Sequence, residues 1–253
     1  MIPFIINLET SQDRRDDMVK QMYSINYPYT FIKAVDGREL TEIEYQEEIS
    51  QTLDIPIEKL KPTYYLDRRN FISLSDKWED IAPRVGCFLS HYKCLKIAYE
   101  QNLNEILILE DDVDILGHFD NIPKVDKDII YLGATVRKLG KYPNKGYYDC
   151  KGLELFGTYA YLIKGKYNID RIYKAFQSVY QEGTRRMKYN PNERMSMSNV
   201  DNFYRRYFHE DSIVMYPPLV QHRDDLKSTI SNNKRYRKKY GMKCIGMLEP
   251  IEE

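Results

Sequence analysis

Apolar residues gather along this chain in short runs set between longer polar stretches of helical period. The first run, IPFIIN (2–7), is apolar without alternation, which predicts a strand buried on both faces. It gives way to LETSQDRRDDMVKQMYS, a polar helical stretch with Thr10 and Ser11 as N-cap candidates. YTFIKAVDG (29–37) alternates and stops at Asp36-Gly37, the pattern of a strand and its turn. Residues 41–82 mix acidic helical pieces with Pro56, Pro62 and the pair Tyr64–Tyr65, and read as an insertion on the acceptor side. From Gly86 the spacing of Phe88, Tyr92, Leu95 and Tyr99 predicts a helix, with Lys93, Lys96 and Glu100 outside. EILIL (105–109) predicts a central buried strand, and DIIYLG (128–133) and GTYAYLI (157–163) predict two more. Helices are expected over 168–182 and 199–208, and a last strand in SIVMY (212–216), ended by Pro217-Pro218. Strands alternating with helices indicate an α/β fold with a mainly parallel central sheet and flanking helices. No internal repeat or linker divides the chain, so one domain over 1–253 is expected, with 231–253 as a basic tail.

Composition narrows the classes. The chain is 42% hydrophobic and 30% charged, with a mean hydropathy of −0.62, which is soluble in character. Its first apolar run lacks a basic leader and a cleavage site, so no secretory signal is expected. That run is also far short of the roughly 20 residues a membrane span needs. Lys and Arg number 38 and so do Asp and Glu, which removes the electrostatic case for a nucleic-acid binder. The four cysteines form no CxxC pair. Cys87 and Cys94, seven apart on the expected helix, read as small apolar packing residues. A reducing, cytoplasmic setting follows. The 23 tyrosines could stack on sugar faces, but an AT-rich coding bias that raises Tyr, Asn, Ile and Lys together is the plainer explanation.

One stretch resists a purely structural explanation. ILILEDDVDI (106–115) ends its apolar run on Glu110, Asp111 and Asp112, three adjacent carboxylates that repel one another. In an open α/β sheet, ligands bind outside the carboxyl ends of the strands. Packed acids there relieve their repulsion by holding a divalent cation, and oxygen ligands select Mg²⁺ or Mn²⁺, commonly completed by substrate phosphates. A solvated acidic turn is the plainer alternative. The same letters resemble the opening of a two-component receiver domain. That reading fails, because DIIYLG ends without an acceptor Asp and SIVMYPP carries no Lys.

The wider context resembles glycosyltransferase family 25. The matching blocks are IINLETSQDRRDDM and FIKAVDG, then GCFLSHYKCLKIAYEQNLNEILILEDDVDI, then IIYLG, GTYAYLI, NVDNFY and YPPLVQHRDDLKSTI. They run in order from about residue 5 to residue 230, and G-C-x-x-S-H followed by the acidic triplet is the most specific of them. The family includes bacterial galactosyltransferases of lipooligosaccharide synthesis and collagen hydroxylysine galactosyltransferases. The resemblance implies a GT-A-type nucleotide-sugar transferase fold and a DxD-like metal motif. It also implies inverting transfer of a hexose from a UDP-sugar, galactose before glucose, to a glycan, glycolipid or hydroxylysine acceptor. Lipopolysaccharide synthesis is the first context it suggests, and a collagen-like pathway the second.

Carried over by position, the triplet becomes the DxD-like element, with Asp112 as the most direct Mn²⁺ (or Mg²⁺) ligand. Glu110 is placed for ribose or metal-bound water and Asp111 toward substrate. Asp201 in NVDNFY matches an acidic position, a candidate base for the acceptor hydroxyl, or else a helix N-cap. His222 in LVQHRDD is a candidate late metal ligand, or a surface histidine. Asn7, Leu8 and Arg14 follow the first strand, where the family holds its nucleotide; adjacent Arg14 and Arg15 point different ways, so at most one serves. Asp36 faces the ribose or caps its turn. Ser90 and His91 fall near the expected helix start, where anions are favoured, although a core histidine fits equally. Tyr159 or Tyr161 could line the sugar pocket, although aromatics of period 2 more often face a core. KRYRKK (234–239) reads as a solvated face, or as a peripheral contact with an anionic membrane. Two other classes compete: a nucleotide-sugar-binding module without turnover, and a phosphoryl- or nucleotidyl-transfer enzyme, which the lack of a G-x-x-x-x-G-K loop weakens.

Overall fold

A computed structural model describes residues 1–41, 44–54, 56–57, 78–136, 146–153, 155–181, 200–223 and 243–244. KRYRKK and most of the segment 55–77 lie outside the described residues. Seven strands form the central sheet in the order β2-β1-β3-β9-β5-β10-β7. Their ranges are β1 Phe4–Asn7, β2 Thr30–Lys33, β3 Glu105–Glu110, β5 Ile129–Tyr131, β7 Tyr147–Asp149, β9 Ala160–Lys164 and β10 Ser212–Met215. β2, β1 and β3 pair in parallel, as do β5 and β10. β9 runs antiparallel to both β3 and β5, and β7 closes the edge antiparallel to β10. The sheet is therefore mainly parallel, with one reversed strand inside it.

Its strands lack alternation because both faces are covered. Ile106 and Ile108 of β3 join the core cluster on the side of α3 (Trp78–Glu100), α4 (Lys166–Gln181) and α5 (Val200–Phe208). Leu107 and Leu109 join the opposite cluster with Met18 and Met22 of α1 (Gln12–Ser24). Each such side chain, fully buried, contributes about 1.5–3 kcal/mol. A further helix, α2 (Glu44–Leu53), packs Ile49 into the first cluster. Short strands complete the frame: β4 (Val113–Ile115) pairs with β11 (Val220–His222), and β6 (Thr135–Val136) lies between β8 (Leu155–Phe156) and β12 (Lys243–Cys244).

Of the two expectations about helix starts, one holds in position and the other needs correction. Ser11 stands at the N-cap position of α1, yet its hydroxyl caps nothing; the Asn7 amide instead donates to its carbonyl at 3.2 Å. α3 begins at Trp78 rather than near Gly86, and Pro83 lies inside it. Gly86 is needed for close approach: a Cβ there would stand 2.4 Å from the Val35 carbonyl oxygen and 2.6 Å from Gly37 N. Gly37 mirrors it, since its Cβ would meet the Ala82 carbonyl at 1.7 Å. One turn after Gly86, the Ser90 hydroxyl donates to the Gly86 carbonyl at 2.6 Å and accepts from Val35 N at 2.9 Å. The helix is thus tied directly to the turn after β2. In an open helix Gly→Ala would gain about 1 kcal/mol. Here overpacking of about 1–3 kcal/mol opposes that gain, so Gly86→Ala should lower the melting temperature. A variant melting at or above the parent would show that helix and turn separate freely.

Candidate functional site

β2, β1 and β3 run in parallel, so their carboxyl ends emerge side by side, and a cleft lies there against α3. Leu8 lines it after β1, residues 34–38 after β2, and Glu110, Asp111 and Asp112 after β3. Pro83, Cys87, Ser90 and His91 line it from α3.

The three acids have different neighbours. Asp111 accepts from the Asn7 amide at 2.8 Å and from the Arg14 guanidinium at 3.0 Å. Burial and then the charge of Asp112 push its carboxyl above the ordinary carboxylate value, against the pull of Asn7 and Arg14. Arg14 also lies 3.5 Å from Asp112 Oδ2, so part of the positive charge the triplet calls for comes from the chain itself. Arg15 leaves the cleft and lies over the Phe31 ring, 3.9 Å from its centroid.

Asp112 Oδ2 also stands 3.4 Å from His222 Nε2. The β4–β11 ribbon causes this meeting: His222 pairs with Val113, and Arg223 N donates to the Asp112 carbonyl at 2.9 Å. Both side chains are largely buried, 9% exposed for Asp112 and 11% for His222. A carboxylate oxygen beside an imidazole nitrogen suits Mn²⁺, whereas Mg²⁺ prefers an all-oxygen shell. The residues present therefore fit the ion the family resemblance implies. Glu110, expected in the same ligand set, turns elsewhere: its Oε1 is 3.4 Å from His91 Nε2, and the Cys87 thiol is close to both.

The remaining candidates divide. Asp36 lines the cleft and also caps the 3₁₀ turn Gly37–Glu39, accepting from Arg38 N at 3.1 Å. Hydrogen bonds from the Arg38 guanidinium hold its carboxyl below the usual range. Ser90 and His91 lie mid-helix, so the anion-favouring helix terminus expected there does not exist. His91 is fully buried, with Nδ1 2.8 Å from the Tyr161 hydroxyl, which in turn contacts the Tyr204 hydroxyl at 3.1 Å. Tyr159, 2% exposed, is not among the cleft-lining residues; it packs edge-on against His222 at 5.6 Å between ring centroids. Asp201 occupies the first turn of α5, one residue inside its start. It is not among the residues that line the cleft, although burial first, then the charges of Glu110, Asp201 and Asp112, push the Cys87 thiol of the cleft wall well up. Cys94 is buried as an apolar filler, whereas Cys87 faces the cleft, a placement that spacing alone misjudged.

This is an α/β protein whose parallel strands end on a cleft at their carboxyl edge, the place where open α/β sheets bind ligands. More narrowly, the chain belongs to glycosyltransferase family 25: the model described as "Glycosyltransferase family 25 (LPS biosynthesis protein)" matches residues 1–137. Procollagen galactosyltransferase 2 of Homo sapiens is 32% identical over 152 residues, 56% of this chain and 22% of that protein. Procollagen galactosyltransferase 1-B of Xenopus laevis is 32% identical over 140 residues, 51% of this chain and 20% of its own. A probable inactive glycosyltransferase 25 family member 3 of Bos taurus is 30% identical over 140 residues, 51% of this chain and 21% of its own. The chain thus spans about a fifth of the length of these relatives. Among solved structures, a glycosyltransferase involved in the glycosylation of the major capsid of PBCV-1 aligns with a TM-score of 0.39 and 11% identity. That alignment covers 94% of this chain and 100% of the other.

Proposed function

We propose that this chain is an inverting, metal-dependent glycosyltransferase. It moves a hexose, galactose before glucose, from a UDP-sugar to a hydroxyl of a glycan, glycolipid or hydroxylysine-bearing acceptor. The observation that carries this reading is the meeting of Asp112 and His222 at 3.4 Å beside the carboxyl ends of parallel strands, in a chain of this family. The names of the procollagen galactosyltransferase relatives support galactose and a procollagen-like acceptor.

A divalent ion held by Asp112 and His222 would neutralise the diphosphate as it leaves. Leu8 lies at the nucleotide end, with Asp36 at the ribose, while buried Asn7, which does not line the cleft, orients Asp111 by its 2.8 Å hydrogen bond. Arg14 holds Asp111 in place and lends positive charge at the phosphate side. Asp201 takes the proton of the acceptor hydroxyl while that oxygen attacks the anomeric carbon and the bond to UDP breaks, which inverts the centre. Asp201→Asn should lower turnover about a hundredfold or more while leaving melting temperature and UDP affinity near the parent values. Parent-like turnover would remove Asp201 from the base role.

A second reading rests on Arg14, whose guanidinium already sits among the acids at 3.0 and 3.5 Å. A built-in cation of this kind suits a nucleotide-sugar-binding module without turnover, and one relative carries the name inactive. UDP release from a panel of UDP-hexoses, with and without Mn²⁺, separates the two. Release that requires Mn²⁺ supports the enzyme, and Mn²⁺-dependent UDP binding without release supports the module. Neither binding nor release overturns both.

A further inference from the structure

We infer that Cys87, His91 and Glu110 form a second metal site, for a borderline-soft divalent ion of the Zn²⁺ or Co²⁺ kind, separate from Asp112 and His222. The inference stands independently of the glycosyltransferase reading. Cys87 and His91 lie four residues apart on α3 and so present their side chains on one helix face. Glu110 reaches them from the end of β3, and one donor atom from each of the three falls within 4.8 Å of the others. The 3.4 Å between His91 Nε2 and Glu110 Oε1 matches the spacing of two donors on one tetrahedral ion, roughly 3.4 Å for bonds of about 2.0–2.1 Å. Three protein donors and a side open to the cleft are the pattern of a zinc site with a free fourth position.

His91 supplies the independent observation. Its side chain is fully buried, and its Nε2 points into this cluster without making a hydrogen bond. A buried ring nitrogen left without one costs stability unless something occupies the position. The opposite nitrogen, Nδ1, is 2.8 Å from the Tyr161 hydroxyl, itself held at 3.1 Å by Tyr204. In the tautomer whose Nδ1–H donates to the Tyr161 hydroxyl, the Nε2 lone pair faces the cluster, the orientation of metal-binding histidines. Burial first, and then the charges of Glu110, Asp201 and Asp112, raise the Cys87 thiol, and the same negative charges favour a cation beside it. On binding, the thiol loses its proton to solvent as the sulfur–metal bond forms, so uptake of the ion releases a proton.

The test uses the full chain, reduced and freed of metal by chelation, titrated with Co²⁺. The expected result is a near-ultraviolet thiolate-to-cobalt band with tetrahedral visible absorption, proton release, and loss of both bands when Zn²⁺ is added. Cys87→Ser should abolish the charge-transfer band, and His91→Gln should weaken Co²⁺ binding at least about tenfold. Asp112→Asn should leave the band in place. Far-ultraviolet dichroism of the metal-free Cys87→Ser chain, unchanged from the parent, shows that it still folds. If that variant is unfolded, Cys87→Ala takes its place under the same criterion. No charge-transfer band in the parent, or a band that survives loss of Cys87, overturns the site. A band lost in Asp112→Asn overturns its separateness. Mn²⁺-dependent UDP release is a different readout, so either proposal can fail while the other stands.

Discussion

Asp112→Asn is expected to remove Mn²⁺-dependent turnover, by about 10³-fold or more, while the chain stays folded. The side chain keeps its size, and only its charge and one oxygen donor disappear. That charge stands between two cationic or potentially cationic groups, with Arg14 at 3.5 Å and His222 at 3.4 Å. Without it, the ion would have only the neutral His222 imidazole and the neutral Asn carbonyl oxygen, and such a pair binds Mn²⁺ weakly. The lost stabilisation of leaving-group charge amounts to several kcal/mol, and each 1.36 kcal/mol is tenfold in rate. Folding should be nearly indifferent, because the charge of Asp112 is also the second cause of the raised Asp111 carboxyl. Removing it relieves Asp111 while costing Arg14 its weaker contact. Calorimetric titration with Mn²⁺ and UDP together, run beside a thermal melt, checks both halves. Parent-like heat of binding with intact turnover would leave the acidic triplet a matter of local charge balance through Arg14 alone.

How far the residues announced all this depends on the length of each feature. β1, β3 and β10 were readable because continuous apolar runs bounded by polar breaks have few other uses in a chain of this composition. Termination of β3 on acids placed the cleft at the correct sheet end, since parallel strands share one carboxyl edge. The reversal of β9 was invisible: a strand buried on both faces reads the same in either direction. The approach of His222 to Asp112 depends on β4 and β11, three residues each, too short to carry a period. Gly86 resembled a helix start because glycine interrupts helical patterns. Its real constraint is the Val35 carbonyl, sequence-distant and undetectable until α3 lies on the turn after β2. Cys87 was misjudged for a related reason. Spacing of seven placed it on the same side as Cys94, but a helix of 23 residues crosses from the core to the cleft edge along that side. The division between Arg14 and Arg15 did follow from geometry that any helix imposes, successive side chains diverging by about 100°.

The largest stability effect is expected from Phe176→Ala. Phe176 is fully buried where α4 meets α3 and α5. Its ring centroid lies 4.1 Å from Phe203 and 4.5 Å from Phe88, with Tyr204 at 5.8 Å and Tyr92 at 6.1 Å. Truncation removes the transfer free energy of the ring and leaves a cavity that three helices cannot all close on, a loss of about 3–5 kcal/mol. For a chain of this size that corresponds to a fall of roughly 6–20 °C in melting temperature. The consequence should reach the chemistry, because α5 carries Phe203 into this cluster and Asp201 two residues before it. A helix that gains freedom at Phe203 loses aim at Asp201, so turnover should fall in samples still folded at the assay temperature, while UDP affinity, which the proposed function assigns to the β1–β3 edge, should not. Phe176→Leu, which keeps most of the volume, should restore most of both losses. Equal falls in turnover and UDP affinity would mean that α5 and the nucleotide edge move as one body, and that Asp201 is not aimed by this aromatic cluster.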